Sequence, residues 1–246
     1  MAGAPVTYRG VILASIEYKD KDRVLKFLTK DDGLIDIYVK GTGKLNSSNA
    51  FTSVPFMVCD LTVSDSHGYL YFRSGSIVES NSKIMTDLDT ITAASHFSDL
   101  LIDISMQSDN SKEAYELAVY AFYYLSNNPS KWELFVAAFN WKVLTILGFT
   151  VVYEKTNDTM TDIAGNGFYY ASVSGGDVYS GKKSGDSFCL LSGHAVNALN
   201  CIAESEFKNL FAIQGSESLS SSLMDFTLKY LSFHLEKDYR GRFTII

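Results

Sequence analysis

The feature that most constrains this fold is a change of hydrophobic period near residue 81. Before it lie five strand-like runs with no convincing helix between them. After it, apolar residues such as Ile84, Leu88 and Ile91 recur every three or four positions. A period of two is typical of half-buried strands, and a period near 3.6 is typical of amphipathic helices. The sequence therefore predicts an all-β first part and a mainly α-helical second part.

The five runs are short, lie close together and are rich in glycine and aromatic residues. They cover residues 11–18, 24–29, 34–40, 56–64 and 69–78. In the third run Ile35, Ile37 and Val39 alternate with polar residues, which places one face of that strand in a core. Such runs predict a five-stranded barrel of the OB type, and a small SH3-like barrel would give a similar pattern.

A glycine- and lysine-bearing loop follows the third run. The Asp31-Asp32-Gly33 turn before that run suits a hairpin, because Asp and Gly tolerate positive φ. Lys40 and Lys44 then flank two glycines, which predicts a cationic loop at the end of the sheet. A phosphate-binding P-loop is excluded, because Tyr38 and Leu45 stand where that motif needs glycine and Ser or Thr.

Helical periodicity extends from Ile84 to Ile104, where Thr86 and Asp89 are the predicted caps. A second helix is predicted from Asn110. The capping-box pattern Ser130-Lys131-Trp132-Glu133 predicts the start of a third, and Gly148 its end. Between about residues 150 and 190 the periodicity fades into Gly, Ser, Asp and Tyr, with short strand-like pieces at 167–171 and 177–179. Helical pattern returns after Ser192, and a last long helix follows Gly215. We thus expect an α+β chain with an OB-like domain over 1–80 and a helical domain over 81–246 that contains an irregular insert.

The net charge of −7 argues against a strongly nucleic-acid-binding protein, since phosphate contacts need Lys and Arg. Residues 1–80, however, hold nine Lys and Arg against nine Asp and Glu, so the excess acid lies entirely after residue 80. A neutral first domain can still present a basic edge, although long-range steering of a polyanion is not expected.

Several classes of protein are excluded by what the chain lacks. The N-terminus has no signal-peptide pattern, and no run of 18 apolar residues predicts a membrane helix. Cys59, Cys189 and Cys201 are an odd number at wide spacing, which favours reduced thiols in a cytoplasm. With His194 they give no close ligand pair, so we expect no metal site and no cofactor. The four histidines are scattered with no nucleophile at a recognisable elbow, which predicts a protein that is not an enzyme.

The first hairpin resembles the start of the RecO family of bacterial recombination mediators. The family pattern D-x-D-R, L-T, G and K-G appears with the same spacing. The matching residues here are Asp20, Asp22-Arg23, Leu28-Thr29, Gly33 and Lys40-Gly41. The family usually continues with more Arg and Lys, whereas here the loop reads Thr42-Gly43-Lys44-Leu45-Asn46. Contact with DNA through this loop is therefore expected to be weaker than the family norm.

The resemblance continues through the helical part. The stretch Phe139–Phe149 is similar to the family's F-x-x-R-L-L-x-x-L-G-Y, with Lys142 in the place of arginine. The ending Tyr230–Leu235 followed by Arg240-Gly241-Arg242 resembles Y-L-x-x-H-L and R-S-R. Many members carry a four-cysteine zinc module after L-G-Y, but residues 151–158 hold no cysteine. The resemblance therefore implies a small, degenerate zinc-finger-like lobe without metal.

By this resemblance the chain is expected to act as a RecO-like mediator in DNA repair, cytoplasmic and associated with the nucleoid. It would bind single-stranded DNA, cooperate with RecR and single-strand DNA-binding protein, help to load RecA and anneal complementary strands. The predicted DNA-binding cations are Lys19, Arg23, Lys40, Lys44, Arg73, Arg240 and Arg242.

Barrel aromatics are the candidate stacking surfaces for the bases. They are Tyr18, Tyr38, Tyr69 and Tyr71. The resemblance also implies that Phe139 and Lys142 contact the acidic tail of single-strand DNA-binding protein. Simple packing of the helix is the other role expected for Lys142. The alternatives are a protein-interaction scaffold of the same fold with little DNA affinity, and a hydrolase or nucleotide enzyme whose residues meet only in space.

Overall fold

The computed structural model describes residues 4–19, 22–41, 50–105, 111–149, 167–180, 183, 185 and 187–243. The chain divides into two compact units, Met1–Pro129 and Ser130–Ile246. The first unit holds a barrel and two helices, and the second holds helices and a small sheet. None of the helices in the described ranges is both long and apolar enough to cross a bilayer.

Five strands close the barrel in the order β1-β2-β3-β5-β4, and β4 pairs back onto β1. They are β1 (Val6–Tyr18), β2 (Asp22–Thr29), β3 (Leu34–Val39), β4 (Val58–Ser66) and β5 (Tyr69–Glu79). All neighbours are antiparallel except β3 and β5, whose parallel pairing of Ile37 with Leu70 and Tyr38 with Tyr71 completes the barrel. The predicted five-stranded OB-like barrel is confirmed, and the α+β class with it.

The barrel core is formed by one side of each strand, as the alternation of apolar residues predicts. Its buried members are Ile12, Leu25, Phe27, Ile37, Val39, Met57, Cys59, Leu61 and Val63. Gly10 is required where β1 lies close to β2, because a Cβ there would lie 2.5 Å from the Leu28 carbonyl oxygen. The predicted start of the fourth strand at Phe56 is wrong. Phe56 has a φ of 70° outside the strand, and its ring packs 5.2 Å from that of Phe122.

Two helices complete the first unit, α1 (Leu88–Ser105) and α2 (Ser111–Asn127). Residues 82–86 form a separate 3₁₀ turn, so the predicted single helix from residue 84 is interrupted. The predicted caps of α1 are wrong, because Asp87 Oδ1 accepts the hydrogen bond from the Thr90 amide, 3.1 Å away. Asp87 has extended backbone angles, which is the conformation of an N-cap residue.

The second unit is built on α3 (Trp132–Ile146), whose buried residues run along almost its whole length. The predicted capping box is wrong, because Ser130 lies in a 3₁₀ turn and Lys131 takes the cap position without a side-chain hydrogen bond. The predicted end at Gly148 is confirmed. Gly148 has a φ of 85°, and the amide of Phe149 donates to the Leu144 carbonyl, as in a glycine-terminated helix.

A three-stranded sheet and three further helices make up the rest of this unit. The sheet has the order β7-β6-β8. Its strands are β6 (Phe168–Ser172), β7 (Val178–Tyr179) and β8 (Phe188–Ser192), and the helices are α4 (Gly193–Glu204), α5 (Phe207–Leu210) and α6 (Glu217–His234). The irregular insert thus contains a sheet in its described part, and β8 was not predicted.

The helices α1 and α2 share the first compact unit with the barrel. The domain boundary predicted between residues 80 and 81 lies where the hydrophobic period changes, whereas the two compact units meet after Pro129. The predicted boundary stays a prediction.

Candidate nucleic-acid interface

Four tyrosines form a continuous cluster on the outer face of the barrel, which we call the tyrosine patch. Its members are Tyr18, Tyr38, Tyr69 and Tyr71. The ring of Tyr38 is at the centre, 5.8 Å from Tyr18, 5.5 Å from Tyr69 and 5.7 Å from Tyr71 between centroids. Tyr18 and Tyr69 are 42% and 53% exposed. The patch therefore offers solvent-accessible aromatic rings next to one another.

The strand period explains why these residues share a face. Leu70 and Phe72 of β5 pack against the barrel core, so Tyr69, Tyr71 and Arg73 point to the opposite side. The parallel register places Tyr71 beside Tyr38 of β3. The patch thus combines a local alternation with a pairing of strands that are far apart in sequence.

Three cations border the patch. The Lys19 ammonium lies 4.9 Å from the centre of the Tyr18 ring, and the Lys40 ammonium lies 5.0 Å from that of Tyr71. Arg73 Nε donates a hydrogen bond of 2.6 Å to the Ser64 hydroxyl. Within the part of the chain that the structure describes, none of the three forms an ion pair with a carboxylate. Their charges are therefore available to an anionic ligand.

Other barrel cations are neutralised by acidic neighbours. Lys26 pairs with Asp36 at 2.9 Å, and Arg9 forms two hydrogen bonds of 2.8 Å with Asp60. The Arg9 guanidinium holds the pKa of the Asp60 carboxyl below its usual range. Residues 1–80 are neutral as a whole, and among the described residues three cations without a carboxylate partner, Lys19, Lys40 and Arg73, border the tyrosine patch.

A shallow cavity of about 280 Å³ opens between the patch and its cations. It is lined by Tyr38, Lys40, Ser66, Tyr71, Phe72 and Arg73. Aromatic faces can stack on nucleobases, and ammonium or guanidinium groups can bind phosphates, so these groups together suit a flexible single strand. Among the described residues no group of three or more His, Cys, Asp or Glu side chains is arranged to hold a metal ion.

The structure places the predicted DNA-binding residues in different settings. Lys19, Lys40 and Arg73 come together around the patch, whereas Lys44 lies outside the described residues. Arg23 shares the core-facing side of β2 with Leu25 and Phe27, and its guanidinium contacts the Ser15 carbonyl and Glu17 at 3.2 and 3.0 Å. It is therefore not part of the patch.

The predicted C-terminal cations lie in the second compact unit. The Arg240 amide donates to Asp238 Oδ1 at 2.9 Å, and Arg242 is in a 3₁₀ turn whose Phe243 ring stacks on Trp132. Their assignment to DNA stays a prediction.

The two predicted partner-binding residues are buried in the second unit. Phe139 has no exposed surface, so it offers nothing for a peptide to contact in this conformation. The Lys142 ammonium donates to the carbonyls of Ala203 and Ser205, at 2.8 and 2.6 Å, and burial lowers the pKa of Lys142. A cation at the end of α4 stabilises the carbonyls that the helix leaves unpaired. Lys142 therefore has a structural role, and its contact with a partner stays a prediction.

Two family models together match almost the whole chain. The N-terminal part of recombination protein O matches residues 1–81, and the C-terminal part matches residues 85–242. The chain belongs to the RecO family. The family that the sequence motifs indicated is thereby confirmed, including for the helical part, where each motif was weak.

Individual relatives agree with this membership of the RecO family. A protein named DNA repair protein RecO from Acetivibrio thermocellus is 24% identical over 234 residues, which cover 94% of this chain and 92% of the relative. The protein of the same name from Clostridium acetobutylicum is 21% identical over 93% of this chain and 92% of its own length. That from Clostridium perfringens is 28% identical over 59% of each chain.

The sequence of this RecO-family chain did not lead us to two hydroxyl groups beside the tyrosine patch. The hydroxyls of Ser64 and Ser66 contribute to the cavity and its border, and neither was a candidate. A signal was present, because Ser64 and Ser66 alternate with core residues of β4 opposite Tyr71 and Tyr69. Reading β4 and β5 as one hairpin would have placed both serines beside the tyrosines.

Proposed function

We propose that this RecO-family protein is a mediator of DNA repair that binds single-stranded DNA on the tyrosine patch of its barrel. The observation that carries the proposal is the cluster of adjacent tyrosine rings bordered by Lys19, Lys40 and Arg73, which have no carboxylate partner among the described residues. In the same proposal the protein works in the cytoplasm at the nucleoid, cooperates with RecR and single-strand DNA-binding protein to load RecA, and anneals complementary strands.

The chemistry of the patch supports a single strand rather than a duplex as its ligand. Base stacking on an aromatic side chain requires an unpaired base whose face is free, and each such contact contributes about 1–3 kcal/mol. Tyr18 and Tyr69 offer the more exposed rings, and Tyr38 supports both from between. A base stacked on Tyr18 would bring its phosphate near Lys19, whose ammonium lies 4.9 Å from the centre of that ring.

The small number of cations predicts modest affinity that depends on salt. Each neutralised phosphate of a single strand contributes about −0.7 to the slope of log K against log salt concentration. Contacts from Lys19, Lys40 and Arg73 therefore predict a slope of about −2. A loosely held strand can be exchanged or annealed, which is the work of a mediator. No covalent bond is made or broken in that work, so the protein is proposed not to be an enzyme.

The experiment is a titration of a fluorescent oligothymidylate with the full chain, followed by anisotropy at several salt concentrations. The Lys40→Ala/Lys44→Ala variant is compared with wild type, and Lys30→Ala is the matched control. Lys30 is an exposed lysine of the same barrel, beside the Asp31-Asp32-Gly33 turn. We expect the double variant to bind more weakly and its salt slope to become shallower by about 0.7–1.4, while the control stays at the wild-type slope.

A salt-independent affinity, or equal binding by wild type and the double variant, would contradict the proposed site. The absence of binding even at low salt would favour the second candidate, an interaction scaffold of the same fold. The net charge of −7 is the observation that favours this candidate, because it disfavours approach to a polyanion.

A further inference from the structure

The small sheet of the second unit has two faces of different character. On one side Ala171, Cys189 and Leu191 are buried, and Val178 lies with them by register. These residues attach the sheet to its own unit. The opposite face must therefore carry the alternate residues of each strand.

That opposite face is aromatic and partly exposed, and we call it the lobe face. Its apolar members are Phe168, Tyr170, Tyr179, Phe188 and Leu190. Phe168 is 65% exposed and Leu190 is 53% exposed. The register pairs Tyr170 with Leu190 on one side and with Tyr179 on the other, so the members are direct cross-strand neighbours. Exposed apolar surface of this kind normally marks a site of interaction.

The lobe face also carries a positive charge at its edge. The Lys183 ammonium lies 4.3 Å from the centre of the Tyr179 ring, and that ring contacts Phe188 edge-on at 6.0 Å. Asp177, directly before β7, accepts a hydrogen bond of 3.2 Å from the Tyr179 hydroxyl. In sequence the segment that joins β7 and β8 bears two cations, Lys182 and Lys183, and one acid, Asp186.

We infer that the lobe face is a second binding site for single-stranded nucleic acid, which stacks bases on Phe168 and its neighbours and places phosphates near Lys183. An open sheet face with adjacent aromatic rings is the arrangement by which small sheets stack single-stranded bases. A partner protein could also cover apolar surface, but a cation over an aromatic ring at the edge matches a polyanion better than it matches an apolar peptide.

A cavity of about 350 Å³ extends the lobe face at the Phe168 end. It is lined by Phe168, Ser192, His194, Ser216, Ser218, Leu219 and Ser222. Serine hydroxyls both donate and accept hydrogen bonds, so they can pair with base edges or sugar oxygens of any sequence. The cavity thus gives a strand stacked on Phe168 polar contacts without demanding a particular base.

This inference rests on the proposed function in one respect, because a second strand site explains how one chain could hold two complementary strands for annealing. The binding chemistry of the lobe face does not depend on the tyrosine patch. The two sites can therefore be tested separately in one experiment.

The experiment uses the full chain and an oligothymidylate of about eight nucleotides, within the length that one barrel site covers, carrying 5-iodouracil for photocrosslinking. Crosslinked peptides are identified by mass spectrometry, and the number of strands bound per chain is measured by titration. The lobe variant is Phe168→Ala/Lys183→Ala, whose side chains are exposed, and Tyr123→Ala is the control. Tyr123 is an aromatic residue on α2 that is 46% exposed.

For wild type we expect crosslinks to peptides from both the tyrosine patch and the lobe face, and two strands bound per chain. In the lobe variant, crosslinking at β6 to β8 should require roughly 5- to 150-fold more oligonucleotide, the range for one lost stacking contact, while the barrel crosslinks stay unchanged. The control should match wild type.

Crosslinks confined to the barrel, with one strand per chain, would overturn the inference and leave the proposed function intact. Crosslinks confined to the lobe would support the inference and contradict the proposed barrel site. No crosslink to either would overturn both. A lobe variant that only changes the oligomeric state, measured by light scattering, would assign the face to a second copy of this chain and overturn the inference.

Discussion

The ring of Tyr38 lies 5.5 Å from the ring of Tyr69 at an interplanar angle of 86°. Tyr38 is on β3 and Tyr69 begins β5, and these strands are neighbours through the only parallel pairing in the described barrel. The pairing that closes the barrel therefore also brings Tyr38 together with Tyr69 and Tyr71. A change at Tyr38 acts on the centre of the proposed surface, because this ring contacts all three other tyrosines.

Tyr38→Leu is expected to weaken single-stranded DNA binding, because it removes the ring that supports both Tyr18 and Tyr69. The expected loss is up to that of one stacking contact, roughly 5- to 150-fold or about 1–3 kcal/mol. Tyr38→Phe retains the aromatic face and should bind within a few-fold of wild type. Fluorescence anisotropy at constant salt measures both. Tyr123→Leu serves as the control for loss of an exposed tyrosine. Equal affinity of the leucine and phenylalanine variants would show that the Tyr38 ring does not support stacking on the patch.

Lys142→Met is expected to destabilise the second unit by about 1–3 kcal/mol, since it removes charged hydrogen bonds to the Ala203 and Ser205 carbonyls. The fluorescence of Trp132 and Trp141, both in that unit, can follow its urea unfolding. Lys208→Met is the control, because Lys208 is an exposed lysine three residues after Ser205 that pairs with the exposed Glu206. If Lys142→Met keeps wild-type stability and instead loses binding of an acidic peptide, a partner-binding role replaces the structural one.

Gly10→Ala is expected to destabilise the barrel by about 1–3 kcal/mol or more, because the new methyl group would lie 2.5 Å from the Leu28 carbonyl and 2.7 Å from the Phe27 ring. Gly68→Ala is the comparison. Its φ of 81° strains any side chain, but nothing lies within 4 Å, so only the backbone cost of about 1–2 kcal/mol applies. Urea unfolding monitored by circular dichroism measures the free energy of unfolding of both variants. If Gly68→Ala were the more destabilised of the two, the close approach of β1 and β2 would be contradicted.

Cys201 is expected to be the fast-reacting thiol toward a disulfide reagent at pH 8. It is exposed, whereas burial raises the pKa of Cys59 to about 12 and also raises that of Cys189. The thiolate is the reactive form, so the two buried residues should react only when the chain unfolds. Cys201→Ser should therefore abolish the fast phase and leave the slow one. A fast phase that survives this substitution would mean that a second thiol is accessible.

Local pattern was sufficient to predict the strands of the barrel and the class of the fold. The alternation through Ile35, Ile37 and Val39 identifies the core side of β3, and Gly148 identifies the end of α3. Both signals lie within a few residues of the feature they predict. The capping predictions failed because several polar residues near a helix start can serve as caps. The packing of the preceding turn, where the Thr90 hydroxyl also donates to the Ile84 carbonyl, selects Asp87.

The candidate site was predictable in composition but not in arrangement. From the sequence, seven cations were candidates, and the structure separates the described ones by their partners. Arg23 is held by Glu17 and the Ser15 carbonyl, whereas Lys40 lies over Tyr71. Likewise the helix motif of Phe139 and Lys142 does not show which other helix packs against it. The structure shows that the end of α4 lies there and accepts the hydrogen bonds of Lys142.

The sequence by itself determined which side of β3 faces the barrel core, where α3 ends, and to which family the chain belongs. These follow from periodicity and local motifs, which depend on neighbours in the chain. Only the tertiary structure decided which charges stay unpaired and which aromatic rings meet. That outcome depends on the register between β3 and β5 and between β6 and β8, and such register is set by packing across distant segments rather than by either strand alone.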